Sequence, residues 1–255
     1  MRLLVIAAIA ALGCSAKSSG KTVRVAAAAD LARGFEELGK AFQARTGIEP
    51  IFTFGSSGML AKQIEQGAPF YLFASASKQY ADIPIVAGRC DKSSETLYAR
   101  GRLAVWSPAG VQGPTSFADL ADPRFTHISI ANPDHAPYGK AAQQAFEKAG
   151  IYDKIKDRLV LADNVQAAFE YAKLKNADVA VIALSLVVDK GSFLAVDPSL
   201  HDPLEQELVV CGTGEESDRA RQLAAFIASP DGREIMMRYG FMLGDDNSHG
   251  ALAKP

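Results

Sequence analysis

Phe54-Gly55-Ser56-Ser57-Gly58-Met59-Leu60 reads as the end of a strand turning directly into a helix. Two glycines bracket two serines at the turn, and the amphipathic run Met59, Leu60, Ile64 follows. The first N–H groups of a helix have no intrahelical acceptor, and the helix dipole is positive at that end, so such a turn can hold an anion. Serine adds a hydroxyl donor without adding charge. The plainer alternative is a serine N-cap and nothing more.

Outward from this turn the same strand-to-helix step recurs, which is the pattern of an α/β fold. Upstream, Thr22–Ala29 reads as a strand, and Asp30 as the cap of a helix with the apolar stripe Leu31, Phe35, Leu38, Phe42, ending at Gly47. Pro50–Phe54 is a strand, Ser57–Gln66 a helix, Phe70–Ala76 a strand, and Lys78–Gly88 a helix interrupted by Pro84. A strand-like run spans Leu97–Trp106, with a new block opening at Leu103. In that block His127–Ala131 is a strand, Asn132–Gly139 a turn-rich loop and Lys140–Ala149 a helix. Leu159–Leu161, Val179–Leu184 and Phe193–Val196 are strands, and Val165–Lys175 is a helix. Glu207–Val210 is a further strand, and Asp218–Leu243 is mostly helical with a break at Pro230. The layout suits two α/β lobes joined by crossing strands: 22–100 with 207–255 as one lobe, 101–206 as the other, and 1–21 as leader and linker. Helix starts from both lobes could then face one cleft.

The chain has 255 residues and a formal charge of −2, so nothing points to nucleic acid. Met1-Arg2 leads into the apolar stretch Leu3–Gly13, about half the ~20 residues a bilayer span needs but suited to a signal-peptide core. Ala11-Leu12-Gly13-Cys14 resembles a lipoprotein cleavage site, which would make Cys14 the lipidated first residue of an extracytoplasmic, membrane-anchored chain; an ordinary signal peptide cut a few residues later is the rival. Cys90 and Cys211 remain, and in an exported protein they could form one disulfide if the strands beside them are neighbours.

Enzyme chemistry finds little support. The four histidines lack metal-ligand spacing, there is no CxxC, and Gly55-Ser56-Ser57-Gly58 misses the G-x-S-x-G elbow by one residue. No Walker lysine occurs. What recurs is a set of turns ahead of helices: Ala29-Asp30, Ser56-Ser57, Tyr138-Gly139 and Asn164-Val165. Neutral donors preorganised around one point can hold a dianion without a counter-charge.

Several longer stretches carry a resemblance. They are Ala27-Ala-Ala-Asp-Leu31, Phe54–Gly58, Gln63-Ile-Glu-Gln-Gly-Ala-Pro69 with Leu72-Phe73, Ile130–Gly139 ending in Ala-Pro-Tyr-Gly, Ala180–Leu184 and Arg238-Tyr-Gly-Phe241. Together, from about Thr22 to Leu243, they resemble the periplasmic molybdate-binding proteins of ABC importers. The resemblance implies a type II periplasmic-binding-protein fold, two α/β lobes closing over a tetrahedral oxyanion, molybdate or tungstate. It implies no catalytic residue, no cofactor and a membrane permease as partner, with the chain acting as a monomer. By position it implies Ser57 as a hydroxyl and N–H ligand, Tyr138 and Val165 as backbone donors, and Ala29, Asp30 and Ser56 beside them.

The chain departs from the family pattern at several positions, among them Ser77, where relatives often carry aspartate. Ala183 stands where some relatives place a tyrosine hydroxyl, and Ala29-Asp30 where relatives place serine or Thr-Asn. Asp30 could be a helix cap whose N–H still serves the ligand. Its carboxylate could instead accept a proton from an anion such as phosphate or arsenate, or bond directly to the metal of an expanded molybdate or tungstate. A receptor for another tetrahedral oxyanion is therefore one alternative function. A secreted hydrolase using Ser57 with His135 is another.

Overall fold

The computed structural model describes residues 21–243. Cys14 and the leader lie outside the described residues, as does 244–255. β1 (Lys21–Ala28) runs into a short 3-10 turn at Ala29–Leu31 and then α1 (Ala32–Thr46). Next come β2 (Ile48–Gly55), α2 (Ser57–Glu65), β3 (Leu72–Ser75), α3 (Lys78–Val86) and β4 (Thr96–Gly101). The chain continues through β5 (Leu103–Trp106), β6 (Ile128–Ala131), α4 (Pro137–Lys148), α5 (Tyr152–Ile155), β7 (Leu159–Ala162), α6 (Val165–Lys173), β8 (Val179–Ala183) and β9 (Phe193–Ala195). It closes with β10 (Leu204–Val210), α7 (Glu215–Ile227) and α8 (Pro230–Arg238).

These strands form two five-stranded sheets, in the orders β2-β1-β3-β10-β4 and β7-β6-β8-β5-β9. The expected strand-like run Leu97–Trp106 is therefore two strands in different sheets, parted at Arg102. One crossing lies there. The other precedes β10, which already pairs Leu204 with Gly101, ahead of the expected boundary at 207. In each sheet the parallel strands have helical crossovers on their faces, and the inner strands are largely buried, with Gln206 and Glu207 of β10 among their polar residues. The stripe Leu31, Phe35, Leu38, Phe42 is at most 1% exposed, and α1 ends at Gly47 in the left-handed conformation (φ 71°).

Several local expectations are corrected. Asp30 does not cap a helix through its side chain; it sits inside the 3-10 turn, and α1 starts only at Ala32. Pro84 does not interrupt α3, which runs on to Val86 without the bond that a residue-84 N–H would give the Tyr80 carbonyl. The loop expected through Gly139 stops earlier: Pro137 opens α4 at the position where a missing N–H costs nothing.

Cys90 and Cys211 form an isolated antiparallel bridge between the chain after α3 and the end of β10, and their sulfurs are bonded, S–S 2.01 Å. The disulfide sits in a small satellite core with Leu60, Ile64 and Phe73.

Candidate functional site

The four turns singled out in the sequence meet in one place. Ala29-Asp30, Ser56-Ser57, Tyr138 and Asn164-Val165 line a single small cavity between the lobes, with about 10 Å³ open to the centre of a water-sized sphere. Gly139 is not among its lining residues. Two of the turns come from the first lobe, and Tyr138 and Asn164-Val165 from the second. At each, a strand ends and a helical segment begins, so unpaired N–H groups and helix-dipole positive ends converge. Among the described residues, no lysine, arginine or histidine lines the cavity. A larger open depression of about 480 Å³ lies between Val105–Pro114 and Lys190–Leu194, but none of these turns lines it.

Ser57 is fully buried at the first position of α2, and its Oγ accepts the Ala76 N–H at 3.0 Å. That bond fixes the hydroxyl and leaves its own proton to donate elsewhere. Asn164 caps α6 as its residue type suggests, its side chain accepting the Ala167 N–H at 3.0 Å. Ala183 ends β8, fully buried and away from the cavity lining.

The lobes are closed on one another across the cavity mouth. Ser56 Oγ lies 2.9 Å from His135 Nδ1, and the Gly58 N–H donates to the His135 carbonyl at 3.0 Å. A Cβ at position 58 would stand 2.6 Å from that carbonyl oxygen, so only glycine permits the approach. On the other side Ser185 Oγ donates to the Asp30 carbonyl at 2.7 Å, and Arg33 pairs with Asp189. His135 thus engages Ser56 rather than Ser57, so the nucleophile–base pair that the hydrolase alternative requires is not formed.

Behind the cavity the Asp30 side chain turns into the core. The Gln206 amide donates to its Oδ2 at 2.8 Å, and Tyr98 donates to Gln206 Oε1 over a longer 3.4 Å. Asp30 Oδ1 and the Tyr138 hydroxyl are buried without a well-formed hydrogen bond, although the two groups influence each other's titration. Burial pushes the Asp30 carboxyl up to about 7, while Tyr138 and Gln206 pull the other way; no basic side chain offsets its charge. The neighbouring Tyr138 and Tyr98 phenols are raised by burial and then by Asp30. Sequence reasoning placed Asp30 at the site but missed Gln206 and Tyr98, which reach it from the crossing strands β10 and β4.

Comparison with known proteins agrees with this architecture. The family described as "Bacterial extracellular solute-binding protein" matches residues 23–242. The "Molybdate-binding protein ModA" of Rhodobacter capsulatus is 34% identical over 91% of this chain and 92% of its own length. Its Azotobacter vinelandii counterpart is 31% identical over 95% and 97%. The solved structure of the Azotobacter vinelandii periplasmic molybdate-binding protein superposes with a TM-score of 0.81 at 29% identity, covering 87% of this chain and 99% of that one. With two α/β sheets, a closed interlobe cavity and family similarity along nearly its whole length, the chain belongs to the bacterial extracellular solute-binding proteins, within the molybdate-binding family of ABC-importer receptors, and is not an enzyme.

Proposed function

We propose that the cavity captures molybdate or tungstate as a bare dianion and that the closed, loaded chain presents it to the membrane permease of an ABC importer. The observation that carries this reading is the convergence of four helix or 3-10 starts, two from each lobe, on one small cavity without a basic side chain. The Ser57 hydroxyl and the backbone N–H groups around Ala29-Asp30, Ser57, Tyr138 and Val165 supply the donors. Donors held rigid by strand ends pay no reorganisation cost when the anion arrives, and burial strengthens each bond. Rejection of sulfate, which accepts the same bonds, comes from cavity size. The names of the relatives support the choice of anion.

Asp30 offers no Oδ2 to a protonated ligand such as phosphate, since that oxygen is committed to Gln206 in the core, whereas Oδ1 has no such bond. Ser56 serves closure through His135 instead of binding the ligand. Cys14 carries the lipid that keeps the receptor at the outer membrane face of the permease. Isothermal titration with molybdate, tungstate, sulfate and phosphate tests the reading. Tight binding of the first two alone supports it; binding of phosphate alone assigns a different oxyanion, and silence to all four overturns it.

A further inference from the structure

The buried carboxyl behind the cavity is unusual in its surroundings. Asp30 is 1% exposed, one of its oxygens is bonded only by a neutral amide, and the other has no well-formed partner. The groups facing it are Tyr138 from α4, Tyr98 from β4 and Gln206 from β10, with Ser185 at its carbonyl. Glu207, next along β10, adds a further acid that acts on Tyr98. The nearby cations are engaged elsewhere: Arg33 with Asp189, and Arg102 with the Gly240 carbonyl. A Cβ at Gly101 would meet the Tyr138 hydroxyl at 2.0 Å, so the crossing strand itself is pressed against this cluster and leaves no room for a counter-ion.

Resting on the oxyanion reading, we propose that Asp30 is a specificity-determining residue that takes up one proton from solvent, on Oδ1, as a dianion enters the cavity. Asp30 lines the cavity and its buried carboxyl lies directly behind it, so an anionic carboxylate and a dianion would face one another at short range with no basic side chain acting on the carboxyl. Like charges in such a space favour the neutral acid. Oδ1 is the oxygen that Gln206 leaves unbonded and is free to carry the proton. Raised to about 7 by burial against the opposing pull of Tyr138 and Gln206, the carboxyl is poised to respond in the neutral range, and the anion raises it further. Binding is then linked to proton uptake. A doubly charged ligand drives that uptake harder than a singly charged one, so Asp30 ranks ligands by charge as well as by size.

The test is calorimetric titration of the purified protein with sodium molybdate, in paired buffers of unlike ionisation enthalpy, from about pH 6 to about pH 9. Proton uptake should be small at the acid end and approach one per anion above about pH 7, where affinity falls by up to about tenfold per pH unit. Asp30→Asn should abolish both the uptake and the slope. Aspartate carboxyl-carbon NMR of the wild-type complex reads the same group without any variant, and one carboxyl should stay protonated at neutral pH. Tight binding with no pH slope and no uptake overturns the proposal, as does an unaltered uptake in Asp30→Asn or a complex with every aspartate ionised. Absence of molybdate binding at every pH overturns the oxyanion reading itself and this proposal with it.

Discussion

Ser56 Oγ and His135 Nδ1 meet at 2.9 Å from opposite lobes, and the Gly58 N–H reaches the carbonyl of the same histidine. Closure is thereby made at the very turn that also opens α2 toward the cavity. Gly58→Ala puts a Cβ 2.6 Å from the His135 oxygen. Overpacking of this kind costs about 1–3 kcal/mol, and it falls on the closed form through His135 and on the first lobe itself through the Tyr80 ring, 2.9 Å from the same Cβ. The expected result is up to about a hundredfold weaker molybdate binding, mostly through faster release, with a smaller loss of thermal stability. Stopped-flow release rates beside a melting curve check it.

Ser57→Ala removes a hydroxyl donor from the cavity and strands the Ala76 N–H that now donates to it. A hydrogen bond to a charged ligand is worth about 1.5–3 kcal/mol, so affinity should fall about tenfold or more. Unchanged affinity by titration calorimetry would remove Ser57 from the ligand shell. Ser57→Cys, which keeps a weak donor of similar shape, should fall between the two.

Asp30 also marks stability. Its carboxyl is raised from 3.8 to about 7 in the folded chain, so its contribution is fully present below pH 3.8 and is lost as pH rises through about 7. A shift of that size corresponds to something on the order of 4 kcal/mol. Other carboxyls, among them Asp178 and Glu216, are lowered and act in the opposite sense, so the wild type alone does not isolate the effect. The stability gained by Asp30→Asn relative to wild type should therefore grow as pH rises from about 4 to about 8. Urea unfolding at both ends checks the sign.

The disulfide closes a long loop, Cys90 and Cys211 being 121 residues apart. Replacing both by serine should cost about 2–4 kcal/mol and lower the melting temperature by several degrees. The bond lies in the satellite core under α2 and α3 rather than at the cavity, so anion affinity well below that temperature should hold.

How much of this was legible in the sequence follows the range of the forces involved. The alternation of strands and helices is written locally, in turn residues, caps and apolar stripes, and Gly47, Asn164 and the Leu31–Phe42 stripe could be read directly. The four turns of the cavity were legible for the same reason, since each is a strand end followed by a helix start. The division of Leu97–Trp106 was legible as a new block opening at Leu103, but the pairing of β4 with β10 and of β5 with β8 was not, because strand partners lie far off in sequence. The fate of the Asp30 side chain was hidden for a deeper reason. Aspartate before an apolar helix reads as a cap, and its burial depends on Gln206, 176 residues further along.

β10 lies between β3 and β4, so the first sheet lacks its penultimate strand until almost the whole chain has been made. Before then β3 and β4 have no common neighbour, Gln206 has not reached Asp30, and Cys90 has no sulfur to join. A nascent chain with this strand order cannot complete its N-terminal lobe early. That delay would suit a member of an extracellular family, which has to leave the cytoplasm before it works.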